Sequence, residues 1–522
     1  MSPNLQAALE QPFATLPSLI ALHAAQRGSH PALVVDGQVL DFAGLHRQIE
    51  RVAGALQREG LKPGDVVAIC AATSPAYVST YLGAARAGVA VAPLPPSATA
   101  EQLAGLAANS GARLLFADAD TVAQWSTPAD ALPRILLDDS TAGGTPGHTP
   151  WSRWLQHAPS PDAVDLRPED AFNLIYSSGT TGLPKGIVQS CGMRWAQVRR
   201  APASGFGPEA VTLLAIPLYS NLTLTYLFSA LGTGGTVLLM PRFNAGQYLQ
   251  LAARHRATHS MLVPVQFRRL MDHADFERSD LSTLTRKFCA GAPFAPELKA
   301  EVLRRWPGEL TEYYGLTEGG GRTELQAHRH PDKLHTVGRV SAGNDLRLID
   351  EEGRELGPGE TGEIVGRSAT MMNGYHGLPE ATRAAEWHDA QGQRFIRTGD
   401  VGRFDADGFL QLVDRRKDMI ISGGFNLYPS DLEAVLRGHP DVADVAVVGV
   451  PSAEWGETPV AWVVPRSGAT ASEAELRDWM NQRVGKTQRL HALRFTAELP
   501  RSAVGKVLKR ELREAFVARP AA

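Results

Sequence analysis

Hydrophobic positions between residues 38 and 70 first follow a helical period and then form an unbroken run. The helical part carries apolar residues three or four positions apart, the spacing of one helix face: Leu45, Ile49, Val52 and Leu56. Gly60 follows as a stop signal, and VVAIC at 66–70 has the continuous apolar character of a buried strand. The pattern therefore predicts a helix followed by a strand.

Short apolar or β-branched runs recur further along the chain, with helical periods between them. They are VAVAP (89–93), ARLLFA (112–117), TVLLM (236–240) and HSMLVP (259–264). Strands that alternate with helices are typical of crossover units built around parallel sheet. We therefore predict an α/β protein.

A change of pattern occurs at 341–367, where short alternating runs are separated by EEG and GPGE turns. This pattern is typical of a small antiparallel or barrel-like part. Around 405–418 a hairpin-like turn precedes a run of charged residues, and helix, strand and helix patterns follow. We place the domain boundary there, with an N-terminal domain over 1–413, a hinge over 414–417 and a small C-terminal domain over 418–522.

The composition of the 522-residue chain is that of an ordinary globular protein, with 43% hydrophobic and 20% charged residues. A net charge of −3 argues against a nucleic-acid partner, because such binding needs clustered positive charge. Three distant cysteines, Cys70, Cys191 and Cys289, provide neither a disulfide framework nor a CxxC metal site. The N-terminus lacks a secretory pattern, and no stretch of about 18 apolar residues occurs. We expect a cytoplasmic protein without a membrane span.

Residues 176–186, YSSGTTGLPKG, combine hydroxyls, glycines and one cation directly after a strand-like segment, the position where open α/β sheets bind ligands. Glycines let the backbone approach an anion, hydroxyl and amide groups donate to its oxygens, and the lysine adds a full charge. The order differs from the Walker A pattern, so a different phosphate-binding loop is indicated, with a plain surface linker as the alternative. The predicted phosphate contacts are Ser177, Ser178, Gly179, Thr180, Thr181 and Lys185.

Five distant segments together form a recognisable set of motifs: YSSGTTGLPKG (176–186), EYYGLTE (312–318), RTGD (397–400), DRRKDMIISGGFNLYPSDLE (414–433) and LPRSAVGKVLKREL (499–512). In this order and at these separations they resemble the adenylate-forming acyl-CoA synthetase superfamily, in particular its bacterial aryl- and fatty-acyl-CoA ligases. The resemblance implies an α/β fold with a large N-terminal domain, containing two mostly parallel sheets and a small β-barrel-like part. A small mobile α+β C-terminal domain would complete it.

The resemblance also implies a nucleotide site. Asp400 and Arg415 would hold the ribose hydroxyls, Tyr314 would lie against the adenosine, and Thr317 would donate to the α-phosphate. Glu318 would hold Mg²⁺, a hard cation that prefers oxygen ligands. Further nucleotide contacts would come from the EYYGLTE segment and from the small-residue turn at 289–294: Glu312, Tyr313, Gly315, Gly291, Ala292 and Pro293. From the residues alone, solvated turn charges and ordinary core packing are the alternatives.

Lys506, in LPRSAVGKV, would by default be a solvated lysine. The resemblance implies instead that it reaches into the N-terminal site, between the substrate carboxylate and the α-phosphate. Charge builds on the α-phosphoryl oxygens during the attack, so a preorganised ammonium stabilises the transition state more than the ground state. Lys506 is therefore the predicted catalytic residue, and its acetylation by a lysine acetylase would switch the activity off.

The implied reaction has two halves, formation of an acyl-adenylate with release of pyrophosphate, and attack of a thiol with release of AMP. Between them the small domain would turn about the hinge residue Lys417. It would then present Ser422, Gly423 and Gly424, whose bare backbone leaves a slot for the pantetheine arm of coenzyme A. Trp455 would pack against the CoA end, with core packing as the alternative.

The chain departs from the family pattern ahead of the LPR segment. The family commonly has a lysine and a proline at positions that Gln488 and Leu490 occupy here. This departure puts the contacts to the CoA phosphates in doubt, with Lys486 or Arg489 as substitutes.

The acyl pocket is predicted to be lined by the segments IPLYSNLTL (216–224), FCAGAP (288–293) and TEGGG (317–321), with the candidate residues Tyr219, Ser220, Asn221, Ala290, Gly320 and Gly321. Ser220 stands where many relatives have histidine, and this segment lacks the aspartate with which relatives that activate amino acids hold an ammonium. Gly319–Gly321 remove side-chain volume, which indicates room for a ring or a medium-length chain. Arg199 and Arg200 are expected at an exposed helix end, with contact to a second substrate carboxylate as the alternative.

The predicted function is an ATP-dependent carboxylic acid:CoA ligase that uses ATP, Mg²⁺ and coenzyme A. Its acid would be aryl, alicyclic or medium-chain aliphatic, and its partners small molecules, with a homodimer left open. One alternative is a ligase that loads the phosphopantetheine of a carrier protein. Another, of a different class, is a non-catalytic nucleotide-binding protein.

Overall fold

The computed structural model of the chain describes residues 2–124, 132–137, 148–177, 185–415, 418–422, 425–452, 456–485, 488–502 and 505–518. Its helices, in chain order, are α1 (Pro3–Glu10), α2 (Leu16–Arg27), α3 (Phe42–Arg58), α4 (Pro75–Arg86), α5 (Ala100–Ser110), α6 (Ala119–Gln124), α7 (Trp151–Trp154), α8 (Cys191–Arg200), α9 (Asn221–Gly232), α10 (Ala245–Arg254), α11 (Pro264–Met271), α12 (Pro296–Arg305), α13 (Pro379–Ala384), α14 (Pro429–Arg437), α15 (Glu473–Asn481) and α16 (Lys509–Val517).

The strands, in the same order, are β1 (Pro31–Val35), β2 (Gln38–Asp41), β3 (Val66–Cys70), β4 (Ala90–Pro93), β5 (Ala112–Ala117), β6 (Arg134–Leu136), β7 (His148–Pro150), β8 (Ala171–Ser177), β9 (Lys185–Ser190), β10 (Val211–Leu214), β11 (Thr236–Leu239), β12 (His259–Leu262), β13 (Arg286–Cys289), β14 (Glu309–Gly315), β15 (Arg322–Gln326), β16 (Arg339–Val340), β17 (Asn344–Ile349), β18 (Thr361–Ser368), β19 (Gly374–Tyr375), β20 (Glu386–His388), β21 (Arg394–Phe404), β22 (Leu410–Arg415), β23 (Ile420–Ser422), β24 (Phe425–Leu427), β25 (Val442–Ser452), β26 (Gly456–Pro465) and β27 (Ala492–Phe495). All five stretches for which the apolar pattern predicts strands contain one.

Two large, mostly parallel sheets form the body of the N-terminal part. The first has the order β16-β15-β14-β13-β12-β10-β11-β1-β2 and is parallel from β14 to β1. The second has the order β19-β9-β8-β4-β3-β5-β6-β7 and is parallel from β8 to β7. The α/β prediction is confirmed.

The main hydrophobic core lies between these two sheets and contains α3. The four apolar residues of the predicted helix face, Leu45, Ile49, Val52 and Leu56, are fully buried. Asp41 caps the helix by accepting a hydrogen bond from the Gly44 amide at 2.7 Å. Alternate residues of β3 divide between this core and an outer one, as a strand buried on both faces requires.

A third sheet, β17-β18-β21-β20 with β22 on the side of β21, is antiparallel, as the pattern at 341–367 predicts. A fourth sheet, β24-β23-β26-β25 with β27 beside β26, packs with α14, α15 and α16 into an α+β unit. The predicted hinge at 414–417 overlaps the end of β22, which ends at Arg415, and lies ahead of β23, which begins at Ile420. In the described part of the chain, no helix is both long and apolar enough to cross a membrane.

Candidate nucleotide and acyl site

The predicted phosphate loop connects two strands of the second sheet. β8 ends at Ser177 and β9 begins at Lys185, and these two residues face each other across an antiparallel pair. Residues 178–184, including Ser178, Gly179, Thr180 and Thr181, lie outside the described residues. The loop therefore leaves the end of a sheet strand, as the sequence predicts.

Lys185 and Glu318, two predicted phosphate and metal contacts, meet through a tyrosine. The Lys185 ammonium lies 4.9 Å from the centroid of the Tyr375 ring. The Tyr375 hydroxyl donates to Glu318 Oε1 at 3.0 Å. Burial, together with the negative charge of Glu318, raises the pKa of Tyr375 above its ordinary value. Two motifs that are distant in the sequence thus meet beside the phosphate loop.

Tyr375 is a residue that sequence reasoning missed, because it belongs to no recognised motif. The two-residue strand β19 adds to the edge of β9 and sets Tyr375 opposite Ile187. Only this long-range pairing places the ring beside Lys185. With only two residues, β19 is too short to give a periodic pattern in the sequence.

A buried polar network links β8, β9 and α8 to the EYYGLTE motif. Arg194 donates to Asn173 Oδ1 from Nε at 3.1 Å and from Nη2 at 2.9 Å. Arg194 Nη2 also donates to Gln189 Oε1, which accepts from Asn173 Nδ2 at 2.9 Å as well. Gln189 Nε2 in turn donates to the carbonyl oxygen of Thr317 at 2.8 Å. The network holds the backbone of the residue predicted to contact the α-phosphate.

Replacement of Asn173 by alanine is expected to lower the free energy of unfolding by about 2–3 kcal/mol, because a buried cation then loses its principal acceptor. Arg194 is only 1% exposed, and burial lowers its pKa to about 10. Gln197→Ala is the matched control: Gln197 accepts from Arg194 Nη1 nearer the surface, and its loss should cost less than about 1 kcal/mol. Urea unfolding of both variants measures the difference, and equal losses would contradict the assignment.

Tyr314, Asp400 and Arg415 meet at the predicted ribose end. The Tyr314 hydroxyl donates to Asp400 Oδ2 at 2.8 Å, and Asp400 is 5% exposed. Asp400 and Arg415 are directly paired on β21 and β22. The Arg415 side chain lies outside the described residues. A carboxylate accepts several hydrogen bonds, which suits the predicted contact of Asp400 with ribose hydroxyls.

Asp400→Asn is expected to raise the KM for ATP by about 10- to 100-fold, the range for losing hydrogen bonds to a charged acceptor. The variant should also lose the wild-type preference for ATP over its 2′- and 3′-deoxy analogues. Tyr314→Phe is the control that keeps the ring and removes the hydroxyl that donates to Asp400. Pyrophosphate release with the three nucleotides measures both effects, and an undiminished preference in Asp400→Asn would count against a ribose contact.

Glu312 has a partner that the sequence did not suggest. Its carboxylate forms an ion pair with Lys299 of α12, and the two residues are 4% and 2% exposed. Lys299 Nζ also donates to the carbonyl oxygens of Leu334 at 2.8 Å and Thr336 at 3.0 Å. Burial raises the pKa of Glu312 to about 7. The structure therefore gives this side chain a place in the protein core, and a nucleotide contact from Glu312 stays a prediction without support.

The small-residue turn at 289–294 and the residues next to Lys506 contact the same two segments of the chain. A Cβ placed on Gly291 would lie 2.8 Å from Leu222 Cδ1 and 4.0 Å from Val263 Cγ1. A Cβ placed on Gly505 would lie 3.2 Å from Val265 Cγ1 and 3.8 Å from Val263 Cγ2. The tip of the C-terminal unit thus packs on the start of α11, beside the turn that carries Ala292 and Pro293.

The predicted acyl-pocket residues Tyr219, Ser220 and Asn221 come together at the start of α9, and Ala290 follows β13. Asn221 Oδ1 is buried and accepts no hydrogen bond from the described residues. A buried acceptor without a protein partner points to a ligand or a water at this place. Gly315, predicted to contact the nucleotide, ends β14 opposite Arg322.

Gly320 and Gly321 have a reason for being small that differs from the predicted one. A Cβ on Gly320 would lie 2.6 Å from Ile396 Cβ, and one on Gly321 would lie 2.6 Å from Leu346 Cδ1. The third sheet thus fills the space on the side where these glycines lack a side chain. These glycines allow close packing against the third sheet. Their small size therefore gives no information on the width of the acyl pocket.

On the side predicted to face coenzyme A, Ser422 is buried in β23 opposite Phe425. Lys417, Gly423, Gly424, Trp455 and Lys486 lie outside the described residues. Leu490, where the family commonly has proline, is buried in the core of the C-terminal unit. The Gln488 side chain accepts from the Gly485 amide at 3.3 Å, as a local loop contact.

The two-part fold and the convergence of distant motifs define an adenylate-forming enzyme. The family model of AMP-binding enzymes matches residues 20–376, and that of the AMP-binding enzyme C-terminal domain matches residues 431–506. The chain belongs to this family of AMP-binding enzymes, and it is a ligase. The resemblance stated from the motifs is confirmed.

Named relatives extend over nearly the whole chain. A feruloyl-CoA synthase of an Amycolatopsis species is 34% identical over 92% of this chain and 94% of its own length. The fatty acid–[acyl-carrier-protein] ligase ScoC of Streptomyces coeruleorubidus is 32% identical over 96% of both chains. The solved structure of the amide bond synthetase McbA from Marinactinospora thermotolerans has a TM-score of 0.83 and 30% identity, covering 96% of this chain and all of its own.

Proposed function

We propose that the protein is an ATP-dependent carboxylic acid:CoA ligase that works through an acyl-adenylate. The observation that carries the proposal is the contact of Gly505 with Val263 and Val265, next to the turn at Gly291. This contact supports an approach of the Lys506 loop to the turn at Gly291, which is predicted to contact the nucleotide. A substrate carboxylate bound near the start of α9 would be close to this turn, since a Cβ on Gly291 would lie 2.8 Å from Leu222 Cδ1.

In the first step the substrate carboxylate attacks the α-phosphorus of ATP, and the bond to the β-phosphate oxygen breaks to release pyrophosphate. Lys185 and the loop would hold the phosphates, Asp400 and Arg415 the ribose. Lys506 would neutralise charge that builds on the α-phosphoryl oxygens. In the second step a thiolate attacks the acyl carbonyl, and AMP leaves.

Magnesium fits the residues at this site. Glu318 Oε1 accepts from Tyr375, while Oε2 accepts no hydrogen bond from the described residues. No group of three or more acidic, histidine or cysteine side chains suited to a metal occurs in the described part of the chain. One carboxylate together with substrate phosphates and waters is the usual Mg²⁺ environment at a nucleotide. When bound, the ion would supply charge neutralisation to the phosphates.

The second candidate is a ligase that loads a carrier protein. The 32% identity to ScoC over nearly the whole chain favours it, since carrier loading shares the adenylate half-reaction. The similarity to McbA adds an amine as a third acceptor to compare. The CoA ligase and the carrier-protein ligase would both transfer the acyl group to a pantetheine thiol.

The test separates activation from transfer. Pyrophosphate release is measured first over benzoates, cinnamates, alicyclic acids and C4–C12 fatty acids, and the activated acids are then offered CoA, a holo-carrier protein or simple amines. The proposal expects pyrophosphate release with some acids and an acyl-CoA detected by mass. Pyrophosphate without acyl-CoA would favour the carrier or amine candidate. No release with any of these acids would contradict the proposed range of substrates.

A further inference from the structure

An arginine shortly before the predicted catalytic lysine contacts the backbone on both sides of that lysine. Nη1 of Arg501 donates to the carbonyl oxygen of Gly505 at 2.6 Å. Gly505 directly precedes Lys506, so this bond holds the peptide group that joins the two residues. Arg501 also pairs with Val507 in an antiparallel β-bridge. Arg501 is therefore connected to the residue before Lys506 and to the residue after it.

The other nitrogen of the same guanidinium is anchored in the sheet of the C-terminal unit. Nη2 of Arg501 donates to Asp444 Oδ2 at 2.5 Å. Asp444 lies on β25, which pairs with β26 from Val442 to Ser452. The second carboxylate oxygen, Oδ1, accepts from the Val445 amide at 2.9 Å. Because both carboxylate oxygens are engaged, Arg501 links a held acceptor on the sheet to the carbonyl of Gly505.

Hydrogen bonds within the segment around Lys506 fix its local shape. The Ser502 amide donates to the Lys506 carbonyl at 2.8 Å, and the Leu508 amide donates to the Pro500 carbonyl at 2.8 Å. Residues 503 and 504 lie outside the described residues. These bonds join neighbours in one turn and set no direction relative to β25. The planar fork of an arginine holds two acceptors in a fixed mutual geometry, so Arg501 supplies that direction.

The direction of this turn matters because Gly505 packs closely on the N-terminal part. A Cβ placed on Gly505 would lie 3.2 Å from Val265 Cγ1 and 3.8 Å from Val263 Cγ2. Close-packed contacts of this kind allow little tilt. A charge that stabilises a transition state must be in place before the reaction, and a displacement of about 1 Å can lower a rate by about 10²-fold.

We propose that Arg501, held by Asp444, is a positioning residue for the catalytic lysine of adenylate formation. The inference rests on the proposed function, in which Lys506 acts at the α-phosphate. Arg501 acts through the carbonyl of Gly505 and needs no contact with the nucleotide. The alternative is a direct contact of Arg501 with the phosphates of ATP.

The test compares the two half-reactions in variants at both ends of the link. Arg501→Met removes both donors, Arg501→Lys keeps the charge, and Asp444→Asn removes the charge of the anchor. Arg494→Met is the matched control, because Arg494 pairs with Glu473 in the same unit and its side chain is 34% exposed, against 33% for Arg501. Single-turnover pyrophosphate release at varied ATP measures adenylation, and acyl-CoA formation from synthetic acyl-adenylate measures transfer.

Arg501→Met is expected to lower the maximal rate of adenylation by about 10- to 100-fold. Its KM for ATP and its rate of transfer should stay within about threefold of wild type, because only a transition-state interaction is disturbed. Arg501→Lys and Asp444→Asn should each lose part of the rate, and Arg494→Met none, since neither a lysine nor a neutral anchor reproduces the charged fork. A KM for ATP raised about tenfold at an unchanged maximal rate would overturn the positioning role, and so would equal losses in both half-reactions.

A double variant tests whether Arg501 acts through the lysine. With Lys506→Ala already present, Arg501→Met should lower adenylation by less than about threefold more, since no ammonium remains to be positioned. Full additivity of the two losses would overturn the proposal. Normal adenylation in Arg501→Met, with adenylation lost in Lys506→Ala, would overturn it and leave the proposed function standing. Normal adenylation in Lys506→Ala would contradict the role of the lysine itself.

Hydrogen exchange supplies a readout that does not depend on turnover. In Arg501→Met the amides of residues 500–508 should exchange about tenfold faster than in wild type or in Arg494→Met. The melting temperature should fall by less than about 4 °C, the effect of losing an exposed ion pair. Unchanged exchange would overturn the proposal. Failure of every acid to release pyrophosphate, with the exchange difference intact, would count against the proposed function and leave Arg501 as the residue that orients this turn.

Discussion

Lys506→Ala is expected to lower the rate of acyl-adenylate formation by about 10²–10³-fold, the effect of removing one preorganised donor from a developing oxyanion. Thioester formation from supplied acyl-adenylate should stay within about threefold of the wild-type rate, because the α-phosphorus is no longer attacked in that step. Burst-phase pyrophosphate release measures the first reaction, and acyl-CoA formation from synthetic acyl-adenylate measures the second.

Local hydrogen bonds hold the backbone at the predicted catalytic lysine. The Ser502 amide donates to the Lys506 carbonyl at 2.8 Å, and the Lys506 amide donates to Ser502 Oγ at 3.2 Å. Gly505 supplies a positive φ of 78°, which a residue with a side chain adopts only with strain, and its amide closes the turn on Ser502. Gly505, next to this lysine, packs on Val263 and Val265 of the N-terminal part.

Two controls sharpen the Lys506 experiment. Lys506→Arg keeps the charge and alters its geometry, so it should recover only part of the adenylation rate. Arg510→Ala removes an exposed cation of the same unit and should leave both half-reactions unchanged. Equal loss of adenylation and thioester formation in Lys506→Ala would contradict a role confined to the first step.

The parts of this protein that the sequence predicts well are those with a local signal. The buried face of α3 follows from its 3.6-residue period, and β3, β5 and β12 follow from short apolar runs bounded by turns. The motif at 176–186 marks a strand end because glycines and hydroxyls interrupt an apolar run. In each case neighbouring residues carry the whole signal.

The missed features depend on contacts between residues that are far apart in the chain. Tyr375 reaches Glu318 only because β19 joins the edge of β9, and Gln189 reaches Thr317 across two motifs. Arg200 ends a helix, a position that is usually exposed, yet the fold half-buries it. The periodicity of a single segment cannot predict such packing, because the packing depends on residues elsewhere in the chain.

The ion pair between Lys299 and Glu312 also joins distant residues, and it contributes to the stability of the core. The sequence offered Glu312 as a nucleotide contact because it opens the EYYGLTE segment. The structure instead joins it to α12 through a buried lysine that also serves two carbonyl groups. Removal of one partner of such a pair leaves the other charge uncompensated in the core.

Lys299→Met is accordingly expected to lower the free energy of unfolding by about 3–5 kcal/mol at pH 8. The deficit should shrink below pH 6, where Glu312 takes up a proton. When the pKa of a carboxyl group is raised in the folded protein, the free energy of unfolding falls as the pH rises from the ordinary pKa to the raised one. Glu312 is already raised to about 7 in the wild type, and loss of the lysine charge would raise it further. Urea unfolding at pH 5.5 and pH 8 measures the change.

The double variant Lys299→Met/Glu312→Gln decides between an ion-pair effect and a simple packing defect. With the lone charge removed, it should recover most of the stability lost at pH 8 and show little dependence on pH, apart from about 1–2 kcal/mol for the two carbonyl groups left without their donor. Its KM for ATP should stay within about threefold of wild type if Glu312 serves the core. A tenfold rise in that KM, with stability restored, would return Glu312 to the nucleotide site. A Lys299→Met deficit of equal size at both pH values would instead contradict the buried-charge explanation.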